Sequence, residues 1–276
     1  MMRTIVASLS LFAATAAAQM TEMRPTSAGR DQREALKVNE AIYQGIGFGN
    51  TFMVTTPAGN VIIDTSSPEP AKRHLKLLQA VSKAPVKYII LTHGHGDHMG
   101  GIPLWKQAGT EIIAQREHVE FMNYQRRLQG FFARRNAAQF QMPVREVATW
   151  DGNYAAKIVA GILFDETYRF SLGGVDFEIF HTPGETPDHS TVWIPKYKAA
   201  FVGDNYYESF PNMYTLRGTR PRQALEYVAS LIVSTGTPLM KKYISCPSAI
   251  TVKTFSLSVS MRGLLVQPTR FVQVLP

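Results

Sequence analysis

His93, His95, Asp97 and His98 fall within six residues, in the run Leu91-Thr-His-Gly-His-Gly-Asp-His-Met-Gly-Gly101. Imidazole and carboxylate are ligands that zinc and iron accept. Three of the chain's 7 histidines are gathered here. At this spacing the four side chains cannot all face one way on a strand or a helix. On a loop at a strand end they can divide between two neighbouring metal sites, and the intervening glycines permit the tight turn this needs. A polar turn with scattered histidines is the competing description, but clustered His and Asp point to a metal or catalytic site.

The elements around this loop must hold it in place. The apolar run Val86-Lys-Tyr-Ile-Ile-Leu91 leads into it and reads as a buried strand. Upstream, Gly49 to Thr56 and Asn60 to Asp64 flank Pro57-Ala-Gly59, a β-hairpin signal. Pro68 to Ser82 reads as a helix with apolar Leu75, Leu77, Leu78 and Val81, and Glu111 to Ala114 as a short strand. Residues 116–141 read as helical and are rich in aromatics, among them Phe121, Phe131, Phe132 and Phe140. Those rings are expected mainly in the core. A part in walling an apolar substrate channel is the alternative. Two further hairpins follow, Tyr168 to Leu172 with Val175 to Phe180, and Thr191 to Ile194 with Ala199 to Val202. Arg222 to Val233 reads as an amphipathic helix.

The loop resembles the His-x-His-x-Asp-His signature of the metallo-β-lactamase superfamily. The resemblance covers roughly residues 38–236, because other pieces follow in order. His181-Thr-Pro-Gly-Glu-Thr-Pro187 stands where that family has His-Thr-Pro-Gly-His-Thr, and Phe201-Val-Gly-Asp204 where a strand ends in a metal-bridging aspartate. The resemblance implies an α+β fold, a four-layer αββα sandwich with metals at one edge between two β-sheets. It also implies a ligand set: His93, His95 and Glu185 for a first metal, Asp97 and His98 for a second, and Asp204 between them. Asp97 and Asp204 are then the candidate catalytic carboxylates. For Asp64, which closes the second hairpin strand, a supporting place beneath the metals and a plain strand-end turn both stay open. Zinc, as one or two ions, is the implied cofactor, and it activates water by lowering its pKa toward neutrality.

Glu185 narrows the resemblance. That position is generally histidine in β-lactamases, glyoxalase II enzymes and lactonases, whereas the alkyl sulfatase branch uses glutamate. Pro211-Asn-Met-Tyr-Thr-Leu-Arg-Gly218 is similar to a run in that branch whose Asn and Arg bind sulfate. Asn212, Tyr214 and Arg217 are therefore the candidate substrate-binding residues, and a guanidinium fork suits a tetrahedral oxyanion. Two departures stand out. Asp204 replaces the branch's usual glutamate, and no histidine follows His189, so the second metal site is expected to lack its last ligand. The leading function is hydrolysis of sulfate esters such as alkyl sulfates. The alternatives are another hydrolase of the same fold, acting on a β-lactam, lactone or thioester, and a non-catalytic metal-binding remnant.

Composition bounds the rest. A 276-residue chain with 45% hydrophobic content suits one domain of ordinary size. Met1 to Ala18 has a basic start, a short apolar stretch and an Ala-x-Ala site, the pattern of a secretory signal peptide. A periplasmic or secreted protein beginning at Gln19 is expected, with residues 19–36 as a leader, residues 37–236 as the domain and no membrane span in the mature chain. The single cysteine, Cys246, excludes an internal disulfide. The net charge of +8 is dispersed, without a basic stripe, so nucleic-acid binding is not expected. A small anionic substrate fits that field, although most of these charges need do no more than keep the chain soluble. Residues 237–276 contain no Asp, Glu or His and differ in character from the rest. A frameshifted or truncated reading frame and a genuine ending both stay open for them.

Overall fold

The computed structural model describes residues 27–140, 143–144, 160–206, 213–215, 218–236 and 273–274. A seven-stranded sheet runs in chain order: β1 (Leu36–Lys37), β2 (Ile42–Gly45), β3 (Thr51–Thr56), β4 (Gly59–Ile63), β5 (Val86–Ile90), β6 (Glu111–Gln115) and β7 (Ile162–Phe164). The strands from β1 to β4 pair antiparallel, and those from β4 to β7 pair parallel. Parallel neighbours need crossovers. Helix α1 (Pro68–Val81) supplies the first, and the short α2 (Gly96–Met99) and α3 (Ile102–Trp105) the second. The helices α4 (His118–Arg127) and α5 (Gln129–Phe140) lie between β6 and β7. A second sheet, wholly antiparallel, holds β8 (Thr167–Leu172), β9 (Val175–His181), β10 (Ser190–Ile194), β11 (Ala199–Phe201) and β12 (Gln273–Val274) in that order. Helix α6 (Ala224–Gly236) follows β11.

Side-chain alternation decides how the layers stack. Ile42, Phe52, Val54, Val61, Ile63, Ile90 and Ile113 of the first sheet share one buried cluster with Val175, Phe177, Ile179, Val192, Ile194 and Phe201 of the second. The two sheets therefore pack face to face. The intervening residues Met53, Ile62, Ile89 and Ile112 point the other way, into a cluster with Leu78 of α1, Met99 of α2, and Ile102 and Trp105 of α3. Strands β4 and β5 are thus apolar on both faces, as parallel central strands must be. On the far side of the second sheet, Phe180, Trp193 and Ala200 are buried together, and α6 lies against β9. This is the αββα sandwich. Each large apolar side chain fully buried in it contributes about 1.5–3 kcal/mol, so the double-faced central strands are its firmest part and the natural platform for a loop at their ends.

The three expected hairpins and the helix from Pro68 form nearly as the pattern indicates. The stretch expected to be one helix over residues 116–141 is two, because Leu128 leaves helical geometry (φ −105°, ψ 15°) between α4 and α5. Its aromatics divide: Phe121 and Phe132 are buried, while Phe131 lies 40% exposed. Strands β1, β2 and β7 have no counterpart in the sequence reading. Within the segment read as a leader, the Gln32 side chain donates to the Gln44 carbonyl (2.9 Å) and accepts from the Ile46 N–H (2.7 Å). Met1 to Met23 and most of the tail after residue 237 lie outside the described residues. Among the described residues no helix is long and apolar enough to cross a membrane.

His74 gives the fold a pH dependence away from the site. Its Nδ1 lies 3.0 Å from the Thr51 hydroxyl and its Nε2 2.9 Å from the Ile46 carbonyl, in a wholly buried position. Burial lowers its pKa to about 4, against the pull of the Ile46 carbonyl and with a contribution from Arg73. A histidine whose folded pKa is depressed supports the fold fully only above its unfolded pKa, near 6.5. Below that the unfolded chain takes the proton first, and stability falls until the folded pKa is reached. At about 1.4 kcal/mol per unit the loss is roughly 3 kcal/mol by pH 4. The urea midpoint of the chain is therefore expected to drop between pH 7 and pH 4.5, and His74→Gln should flatten that slope. An identical slope for the two proteins would remove His74 from the acid response.

Candidate metal centre

Strand β5 ends at Ile90, and backbone bonds carry the chain on into the loop. The Leu91 N–H donates to the Ile113 carbonyl (3.0 Å), and the Thr92 carbonyl accepts from the Ser190 N–H (2.7 Å), which joins the loop to the second sheet. Asp64, just past β4, accepts from the Thr92 N–H (2.8 Å) and the Thr92 hydroxyl (2.7 Å). Its Oδ2 also lies 2.8 Å from His98 Nδ1. A buried imidazole held in this way has its other nitrogen aimed and its tautomer set. The supporting place considered for Asp64 is therefore the one it occupies. The connection between β2 and β3 passes so close to this loop that glycine is needed at Gly49 (φ +74°), where a Cβ would fall 1.6 Å from the Asp97 carbonyl oxygen.

The loop then delivers its side chains to one spot. His93, His95 and Glu185 bring ligand atoms within 4.8 Å of one another, and so do His93, His98 and Asp204. His93 belongs to both sets. Its Nε2 lies 3.0 Å from His95 Nδ1, and its ring is 4.1 Å from that of His98. His95 Nδ1 is 3.4 Å from Glu185 Oε1. His98 Nε2 is 3.2 Å from Asp204 Oδ1 and 3.7 Å from Asp97 Oδ2. Burial, with the neighbouring histidines, holds His93 well below the usual histidine range, so it is a neutral imidazole able to ligate. Burial also disfavours a charged His98, but Asp204, Asp64 and Asp97 outweigh it and hold that pKa well above the usual range. This concentration of carboxylates about one imidazole is the environment a divalent cation satisfies, and the donor types suit zinc.

Glu185 sits on the loop between β9 and β10. Its backbone N–H donates to Asn205 Oδ1 (2.8 Å), and Asn205 Nδ2 donates to the Thr182 carbonyl (2.6 Å). Its carboxylate is gripped from α6 and the residues just before it. Arg222 donates to Oε1, and the Tyr227 hydroxyl donates to Oε2 (3.2 Å). Burial, reinforced by the Glu185 charge, pushes the Tyr227 phenol far upward, so it remains a donor.

Five of the six proposed ligands, His93, His95, His98, Glu185 and Asp204, fall in these two donor sets, while Asp97 is in neither and lies 3.7 Å from His98 Nε2. Asp97 is the most peripheral, with its side chain 25% exposed, and Asp204 falls beside His98 rather than beside Glu185. Of the proposed substrate contacts, Tyr214 is 66% exposed, and Asn212 and Arg217 lie outside the described residues. Several participants were missed by sequence reasoning. Arg222 and Tyr227 lie 37 and 42 residues from the carboxylate they hold, with no local pattern to mark them. The buried pair His118–Asp188 (2.8 Å) backs the loop at Gly94, where a Cβ would fall about 3 Å from both side chains. His189, dismissed as a ligand for coming too early, is buried with its ring stacked 5.2 Å from His93. Its place in a Pro-Asp-His-Ser run just after Glu185 was the one available hint.

Comparison with known proteins identifies the family. The family described as "Metallo-beta-lactamase superfamily" matches residues 45–227. The linear primary-alkylsulfatase of a Pseudomonas species is 27% identical over 198 residues, which is 65% of this chain and 38% of that protein. Alkyl/aryl-sulfatase BDS1 of Saccharomyces cerevisiae is 27% identical over 227 residues, 73% of this chain and 35% of that protein. The chain thus spans little more than a third of the length of these relatives. Among solved structures, the stereoselective inverting sec-alkylsulfatase Pisa1 from Pseudomonas sp. superposes with a TM-score of 0.64 at 23% identity, over 73% of this chain and 36% of that one. The subclass B3 metallo-β-lactamase BJP-1 of Bradyrhizobium japonicum superposes with a TM-score of 0.53 at 17% identity, over 78% and 77%. Likeness at these identities speaks for the fold.

Proposed function

The chain belongs to the metallo-β-lactamase superfamily of hydrolases, and from that membership we propose that it is a zinc-dependent hydrolase of sulfate esters such as alkyl sulfates. The observation that carries the metal requirement is the pair of donor sets sharing His93. The sulfatase assignment rests on Glu185 in place of histidine, on the Asn212-to-Arg217 run, and on the resemblance to two alkyl sulfatases. The signal-like pattern of Met1 to Ala18 supports reading the enzyme as an exported one that acts on a small anionic substrate in the periplasm or outside the cell.

A divalent ion held by these donors supplies a Lewis acid that makes water acidic enough to attack and stabilises developing negative charge. The residues themselves divide the remaining tasks. Asp97 and Asp204 are more open to solvent than the buried histidines, with side chains 25% and 22% exposed, so they face incoming water and substrate and can accept a proton. His93, His95 and Glu185 form the buried wall behind them. Phe121 packs edge-on against His95 (5.6 Å) and restricts water on that side. Asn212 and Arg217 are assigned to the sulfate group, which a planar guanidinium can grip with two parallel hydrogen bonds.

The test is turnover of sodium dodecyl sulfate set against a β-lactam, a lactone and a thioester, with zinc content measured on the same protein. Arg217→Lys should lower kcat/KM on the alkyl sulfate by roughly 10- to 100-fold, since lysine keeps the charge but loses the fork. Zinc content should not change. Equal efficiency of the two proteins would take Arg217 out of the substrate site.

A further inference from the structure

Glu185 brings to the first donor set a negative charge that a histidine would not. That charge has its own partner. Arg222 donates to Oε1, the oxygen that also lies 3.4 Å from His95 Nδ1, and both side chains are almost wholly enclosed, at 4% and 5% exposure. Tyr227 holds the second oxygen, and Ser230, one turn further along α6, donates to the carbonyl of Pro183 in the same loop. Helix α6 is therefore docked on the Glu185 loop through Tyr227 and Ser230, and Arg222, just before the helix, adds a buried cation directed at the donor set. Little water reaches this cation, so its charge is offset within the protein, and Glu185 is a carboxylate in direct contact with it.

We infer that Glu185 and Arg222 form a single charge-neutral unit, which stands where one neutral imidazole would otherwise serve the metal. Arg222 is then a positioning residue: it fixes the carboxylate and sets the net charge of the first site. Neither half can be exchanged alone. A histidine introduced at 185 would remove the carboxylate that the guanidinium directly contacts while leaving that cation beside the donor set, where it would oppose a dication even at the effective dielectric of a protein. The inference rests on the reading of His93, His95 and Glu185 as metal ligands.

The experiment measures zinc affinity by chelator competition on the full chain and on E185H, R222M, E185H/R222M and E185H/R222K, with circular dichroism to establish folding. E185H should bind zinc at least about 100-fold more weakly than the unmodified chain. E185H/R222M should recover to within about 10-fold of it. E185H/R222K, which retains a cation, should stay as weak as E185H. A merely structural Arg222 gives another pattern, since R222M would then harm the E185H protein further instead of rescuing it. Should E185H not fold, E185Q and E185Q/R222M make the same comparison, with the double variant again the tighter binder. Equal affinity of E185H and E185H/R222M, or rescue by R222K as strong as by R222M, overturns the inference while leaving the metal site standing. An unmodified chain that binds no zinc overturns both.

Discussion

Replacing His93 with alanine should strip the chain of tightly bound zinc and of all metal-dependent turnover. His93 belongs to both donor sets, so its loss leaves His95 with Glu185 on one side and His98 with Asp204 on the other. The first pair is too few for a stable zinc site, which ordinarily needs at least three protein ligands, and the second has only the more exposed Asp97, 3.7 Å from His98, to add. His93 is also buried within the cluster, its ring 4.1 Å from that of His98 and 5.2 Å from that of His189. His95→Ala provides the contrast. It removes one ligand of the first set and spares the second, so a residual, weaker ion is expected. Elemental analysis of both variants after dialysis against a mild chelator distinguishes them. If His93→Ala kept as much zinc as His95→Ala, the shared position of His93 would be wrong.

The second large effect is expected at a residue that is not a ligand. Asp64 accepts two hydrogen bonds from Thr92 and faces His98 Nδ1, all in a buried position. Asp64→Ala leaves a backbone N–H, a hydroxyl and an imidazole nitrogen without their acceptor. Each such buried group costs about 1–3 kcal/mol, so the metal-free variant should be destabilised by at least about 3 kcal/mol. The same change frees the Thr92–His93 stretch and lets His98 turn. Losses of supporting groups at metal sites typically cost about 10–100-fold in affinity or activity. Urea unfolding of metal-free protein reads the first effect, and chelator competition reads the second. A variant with unchanged stability would mean that Thr92 and His98 find other partners.

The ligand loop was legible because identity and spacing carried the information: His93, His95, Asp97 and His98 are neighbours in sequence, and a strand end followed by glycines can put them nowhere else. The hairpins β3–β4, β8–β9 and β10–β11 were legible because short apolar runs flank turn residues. Strands β1, β2 and β7 were not, since two to four residues give no period to read and their pairing is decided by the sheet edge they join. The helical reading of residues 116–141 was legible, but the division at Leu128 was not, since leucine is an ordinary helix former. At the site, Glu185 could be found from its motif, but its partners Arg222 and Tyr227 come from a distant helix and are selected by packing. The fate of His189 shows the same limit. Order along the chain says little about which imidazole the second sheet carries beneath the turn at Gly203, where a Cβ would fall 2.5 Å from its Nε2.

The proposal that this chain hydrolyses sulfate esters through a bound divalent metal is tested most directly by sulfate release from sodium dodecyl sulfate. The full chain would be assayed after chelator treatment and again after titration with zinc. The expected result is no release from the chelated protein, recovery that saturates with added zinc, and a His93→Ala protein that zinc does not rescue. Sulfate release that is equal with and without zinc, or zinc-dependent cleavage of a β-lactam, lactone or thioester with none of the alkyl sulfate, would contradict it.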